Sequence, residues 1–192
     1  MDKNHRPSSL YFHLLGTHQD EDKEIYNEKD SGYFLNISET LSKKYLVLNI
    51  HNHETSEVRI INQEEKNKKL KLIAKRKKSI EYSIEHDQEN SRILILTNKD
   101  NAIDFKLMET NENEINKKNW TDFLPYREGT LITNFSCLAE YIIVQELENG
   151  LPRIVVINKK NNKKNIIKFD EEIYDLDFNE GCEYQSNKIK IY

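Results

Sequence analysis

Two carboxylates, Asp175 and Asp177, alternate with Tyr174, Leu176 and Phe178. In an extended chain successive side chains point to opposite faces, so the acids share one face and the apolar residues the other. Glu81, Ser83 and Glu85 form the same kind of alternation earlier in the chain. Either set can line a channel. An ordinary polar strand face explains both sets equally well.

The other chemistry-bearing clusters are weaker. His51 and His53 stand two residues apart with Glu54 adjacent, but structural zinc asks for four ligands and no second cluster supplies the rest. A solvated turn is the better reading. Asp20, Glu21, Asp22 and Glu24 lack the Asp-x-Asp-x-Asp-Gly spacing of a calcium loop. Cys137 and Cys182 have no base motif beside them and read as inert thiols. Lys66, Lys68, Lys69, Lys71, Lys75, Arg76, Lys77 and Lys78 make the most basic run, across a strand anchored by Leu70, Leu72 and Ile73. A solvated basic edge, which deters sheet pairing, is favoured there over an anion site. The lysine-asparagine stretch 158–165 reads as a hairpin turn without function. A nucleophile elbow requires Gly-x-Ser-x-Gly, and Gly16, Gly32, Gly129, Gly150 and Gly181 never flank a serine at that spacing. The residues therefore nominate no catalytic group, no cofactor site and no metal site.

What positions these residues is a repeat. The apolar run at 45–50 returns at 93–96, at 141–144 and, more weakly, at 188–191. Val47, Leu94, Ile142 and Lys190 mark steps of 47, 48 and 48 residues, and a fixed period of about 20–50 residues signals a repeat architecture. Each period divides into four short strands. The first gives 33–37, 45–50, 57–62 and 70–74; the second gives 80–84, 93–96, 103–107 and 120–124; the third gives 131–135, 141–144, 153–157 and 165–169. The alternation at Tyr33, Leu35 and Ile37 predicts a half-buried strand. Two strands, 10–15 and 24–26, precede this set, and two more, 173–178 and 188–191, follow it. Four short strands per unit of about 45 residues describe propeller blades. The expected fold is all-β: a partial β-propeller of about four blades' worth of four-stranded antiparallel sheets, with a half blade at each end. Blade-like units fall near 1–30, 31–78, 79–129, 130–171 and 172–192.

Composition sets the outer bounds. A 192-residue chain buries roughly 70% of its unfolded surface when compact. Charged residues reach 32% but both signs mix, leaving a net charge of −4. Nucleic-acid binding is not expected, because it needs a concentrated basic face. Two cysteines are too few for a disulfide framework. No signal peptide and no run near the roughly 20 apolar residues of a membrane span is expected. The expected setting is soluble and cytoplasmic.

Several pieces together resemble a known family. They are Leu15-Gly16-Thr17, Asp22, Ile25-Tyr26-Asn27-Glu28-Lys29-Asp30, Thr40 with Ser42-Lys43, and Thr55-Ser56-Glu57-Val58-Arg59. Further along come Arg76 before Glu81-Tyr82-Ser83-Ile84-Glu85-His86, then Trp120 with Leu124-Pro125-Tyr126-Arg127-Glu128, and Gly150-Leu151. In this order they resemble the propeller of the prolyl oligopeptidase family of serine peptidases, in its oligopeptidase B branch. The resemblance implies a seven-bladed propeller inserted near the start of an α/β-hydrolase domain, of which this chain covers a later part. It places the catalytic serine, aspartate and histidine beyond Tyr192, so the hydrolase domain is absent here. It also implies a cap that admits short peptides, in an enzyme cleaving after Arg or Lys, with a complementary chain carrying the triad. A free-standing propeller module that binds proteins is the alternative.

Overall fold

The chain runs through fourteen strands among the residues described by its computed structural model, which are 5–167, 169, 175–178 and 182–191. Strands β1 (Ser9–Phe12) and β2 (Lys23–Asn27) form a two-stranded sheet. The first full blade comprises β3 (Phe34–Glu39), β4 (Tyr45–His51), β5 (Ser56–Asn62) and β6 (Leu70–Ala74). The second comprises β7 (Tyr82–Asp87), β8 (Arg92–Thr97), β9 (Lys106–Asn111) and β10 (Thr121–Leu124). The third comprises β11 (Thr130–Cys137), β12 (Tyr141–Glu148), β13 (Leu151–Asn158) and β14 (Lys164–Ile167). Each blade is an antiparallel meander in chain order, and among the described residues no ladder joins one sheet to the next. The expected all-β, partial-propeller architecture is therefore the one found.

The recurring apolar runs are the second strands, and their burial explains their composition. Ile93, Leu94 and Ile95 in β8 are all fully buried, as are Ile142 and Val144 in β12. Both faces of these strands are covered, so consecutive residues must be apolar. Alternate side chains then serve different interfaces. Ile93 and Ile95 join Val47, Val58, Ile60, Met108 and Trp120 in the core between the first two blades. Leu94 and Leu96 join Leu107, Ile142, Val144 and Val155 in the core between the second and third. Each such Ile or Leu contributes at most about 1.5–3 kcal/mol through burial. On the far side of the third blade, Leu138, Ile143 and Ile154 are covered by Leu176 and Phe178.

Turn chemistry sets the registers. The hairpin between β12 and β13 turns on Asn149 and Gly150, both at positive φ (54° and 81°), the pairing that matches strand twist in a two-residue loop.

Three expected strands begin or end elsewhere than predicted, and a fourth differs in burial. The first ends at Phe12 instead of residue 15, because the Leu14 carbonyl accepts from the Thr17 amide in a turn (3.1 Å), leaving Leu15 90% exposed. The second blade's first strand starts at Tyr82 because Ser79 is left-handed (φ 61°) and Ile80 closes a turn onto Lys77. Its third strand starts at Lys106 because Asp100, Asn101 and Phe105 all take positive φ, which leaves Ile103 on the surface. Finally, β3 is mostly exposed rather than half-buried, with Phe34 and Ile37 both well exposed, because only the narrow β1–β2 sheet precedes it. Of the expected strand 173–178, residues 173 and 174 lie outside the described residues; 175–177 carry no ladder, and the expected pair 173–178 and 188–191 is reduced to a single antiparallel bridge between Phe178 and Ile191.

Candidate functional site: inner strands and the seams between blades

Each blade's first strand, β3, β7 or β11, begins at one face of the arc and ends at the other. Just ahead of β7, Glu81 joins Ser83 in one wall of a cleft of about 350 Å³ between the first two blades. The opposite wall comes from β3 and β4 and the turn after them, with Asn36, Asn49, His51 and Asn52; Ser56, Tyr82, Leu96 and Phe105 complete the lining. Alternation predicts Glu85 on the same face as Glu81 and Ser83, but Glu85 is drawn off. Its carboxylate accepts from the Leu41 amide (3.0 Å) and from its own neighbour, the His86 amide (2.8 Å). Burial pushes its pKa up to about 7, against the pull of those two donors. Asp175 and Asp177 stay exposed and accept from the next backbone amides, while Leu176 and Phe178 turn inward.

At the other face the same seam holds a polar cluster that sequence spacing does not announce. Ser42 Oγ lies 2.7 Å from His86 Nδ1, and His86 Nε2 lies 2.9 Å from Glu112 Oε2. The same Glu112 oxygen accepts from Lys44 Nζ at 2.8 Å and from the Tyr45 hydroxyl at 3.2 Å. Serine, histidine and a carboxylate in line have the look of a hydrolytic triad. Three features set it apart from one. The His86 side chain has no exposed surface, the Ser42 hydroxyl is shared with Thr40 Oγ1 at 3.1 Å, and Lys44 neutralises Glu112. Burial lowers the His86 pKa, so the imidazole is neutral. Burial also works to raise the Glu112 pKa, but the bonds from Lys44 and His86 outweigh it and hold the carboxyl below its usual range. The cluster fastens the first blade's inner turn to the second blade.

Each remaining seam has its own ion pair around a buried carboxylate. Glu28, after β2, meets Arg76, after β6, and Arg76 also covers the Tyr33 ring at 4.1 Å. Glu57 in β5 pairs with Arg59 at 2.9 Å and lies 3.6 Å from Arg76. Asp87 in β7 pairs with Lys159 of the third blade (2.6 Å) and with Arg92 (2.8 Å). Arg127, after β10, pairs with Glu146 in β12, which also holds Arg153. Burial opposes ionisation of Glu28 and Asp87, yet their cationic partners hold both below the usual carboxylate range. A buried carboxylate survives only with such partners. Arg76 is therefore no part of a solvated basic edge, unlike Lys71, which pairs with Glu65 at the surface.

The remaining candidates are scattered. His51 ends β4 with its ring edge-on to Phe34 (6.3 Å), and His53 is exposed in the turn. Asp22 binds His13 at 2.6 Å, and Glu24 binds the Tyr11 hydroxyl at 3.1 Å. Cys137 is buried, and burial pushes its thiol up to about 12. Among the described residues no group of three or more His, Cys, Asp or Glu is placed to hold a metal ion, and no helix is long and apolar enough to cross a membrane. The pairs across the seams that spacing arguments missed lie 19 to 72 positions apart in sequence. Their one signal was membership in the family-like pieces Ser42-Lys43, Glu57, Arg76, His86 and Arg127.

Comparison with known proteins agrees with this architecture. Residues 1–191 match the family model for the N-terminal β-propeller domain of prolyl oligopeptidase. "Protease 2" of Moraxella lacunata is 28% identical over 191 residues, which is 100% of this chain and 27% of that protein. Oligopeptidase B from Leishmania major superposes with a TM-score of 0.88 at 19% identity, over 97% of this chain and 27% of that one. Oligopeptidase B from Trypanosoma brucei with covalently bound antipain gives 0.87 at 20% identity and the same coverage. The chain thus spans about a quarter of the length of these relatives. With a family match across nearly every residue, and three blades and a two-stranded sheet in the matching order, the chain belongs to the prolyl oligopeptidase family, within its N-terminal β-propeller domain.

Proposed function

We propose that this chain is the substrate-gating propeller of an oligopeptidase-B-like serine-type endopeptidase, whose complete form cleaves short peptides after Arg or Lys. The observation that carries the reading is the superposition on oligopeptidase B over 97% of the chain. Peptidase chemistry requires a reachable nucleophile, a base and oxyanion donors. The described residues offer only the buried Ser42–His86–Glu112 line, which is committed to holding blades together. We place the catalytic serine, aspartate and histidine on an α/β-hydrolase domain, carried by a complementary chain. In the relatives the corresponding stretch is continuous with a much longer peptidase chain. The two unpaired cysteines suit a reducing, cytoplasmic setting.

The purified chain is tested with a fluorogenic peptide ending in Arg or Lys. No hydrolysis above buffer is expected. Robust hydrolysis that disappears in Ser42→Ala would overturn the assignment and make the His86 cluster catalytic.

A further inference from the structure

The cleft between the first two blades contains polar groups with nothing to bind. The Glu81 carboxylate, the Ser83 hydroxyl, the Asn36 carboxamide and the His51 ring nitrogens make no hydrogen bond or ion pair among the described residues. Other polar side chains of the same lining are used up. Ser56 Oγ donates to the Tyr82 carbonyl and accepts from its amide; the Tyr82 hydroxyl accepts from Val58 N and donates to the Ala74 carbonyl. Seams at the same face carry ion pairs, Glu28 with Arg76 on one side and Glu146 with Arg127 on the other. At the cleft no such cation appears. Asn98 stands four residues beyond Leu94 in the second blade, as Glu146 stands four beyond Ile142 in the third. Asn98 spends its side chain on the Glu81 amide and the Ser79 carbonyl, and among the described residues the Glu81 carboxylate has no partner.

We propose that this cleft is a subsite for a basic group, the ammonium or guanidinium of a short peptide, with Glu81 as its charge partner. Among the lining residues Glu81 alone carries a formal charge when His51 is neutral, so the cleft has a negative bias. Asn36 and Ser83 offer the oxygen acceptors that a guanidinium, with five N–H donors and no acceptor, requires. Leu96 and Phe105 give its aliphatic stem an apolar wall, as long cationic side chains need. At about 350 Å³ the space suits one side chain, not a folded segment. That the cation arrives on a peptide rests on the gating reading above; the preference for a cation does not.

The test is an amide-resolved NMR titration of the full chain with N-acetyl-argininamide and with its neutral isostere, N-acetyl-citrullinamide. Saturable shifts are expected around residues 49–52 and 81–83 with the arginine probe, and about fivefold weaker binding of citrulline. Glu81→Gln should erase that difference. Ser83→Lys, at an exposed position, supplies an ammonium of its own and should erase it too, which guards against one variant misfolding. Equal binding of the two probes, no binding of either, or an arginine preference that persists in Glu81→Gln overturns the proposal. None of these outcomes touches the gating reading, which stands or falls on peptide-size selectivity.

Discussion

Lys159 Nζ lies 2.6 Å from Asp87 Oδ1, pinning a turn of the third blade to the inner strand of the second. Both side chains are almost wholly buried, and Asp87 keeps a second cation, Arg92, at 2.8 Å. Removing the carboxylate strands a buried ammonium, whereas removing the lysine leaves Asp87 still paired. Asp87→Ala should therefore cost about 3–5 kcal/mol and Lys159→Met distinctly less. Urea denaturation gives both values. The reverse ranking would show that Arg92 does not keep Asp87 paired once Lys159 is gone.

Arg76 ties the two-stranded sheet to the first blade through Glu28 and the Tyr26 hydroxyl (3.5 Å), beside Arg59 over the Tyr26 ring. Arg76→Gln should raise hydrogen exchange in β1 and β2 by roughly tenfold or more while leaving β11–β14 unchanged, since local opening follows the lost contact. A uniform rise across all sheets would mean that Arg76 supports the whole arc.

Glu85 and His86 are adjacent and tilt stability against pH in opposite directions. The Glu85 carboxyl titrates near 7 in the folded chain and near 4.5 when unfolded. Between those values the folded state binds more protons, so stability falls as pH rises. The His86 pKa is lowered from 6.5. Below that value the unfolded chain takes up a proton that the folded chain refuses, so stability falls as pH drops. Glu85→Gln removes only the first slope. It should gain about 1–3 kcal/mol over the parent at about pH 8 and match it near pH 4. Chemical denaturation across that range decides, and an unchanged pH profile would show that Glu85 titrates normally.

Cys137 is buried with its thiol raised to about 12, and Cys182 is half-exposed. In native buffer a thiol reagent should label Cys182 alone, with Cys137 reacting only on unfolding, since the thiolate is the nucleophile. Fast labelling of both thiols would place Cys137 at the surface.

The blades were legible because each second strand is covered on both faces and must be continuously apolar, as at Ile93–Leu94–Ile95. Strand limits were less so. Ile103 looks like a strand residue, and only the positive φ of Asn101 and Phe105 turns it outward. Of the alternating set Glu81, Ser83 and Glu85, period-2 reasoning placed the first two correctly on one cleft wall. It failed for Glu85, because the Leu41 amide, 44 positions away, captures the carboxylate. Local pattern cannot see such a partner. Separation in sequence also hid the role of Arg76, whose neighbours in sequence are lysines but whose neighbours in space are Glu28 and Glu57.

The gating account is tested most directly by grafting these 192 residues in place of the matching stretch of the Moraxella lacunata relative and comparing cleavage of a short Arg-ended peptide with that of a denatured protein. The account predicts that the folded graft cleaves the peptide and spares the protein. A folded graft that degrades both at comparable rates would contradict it.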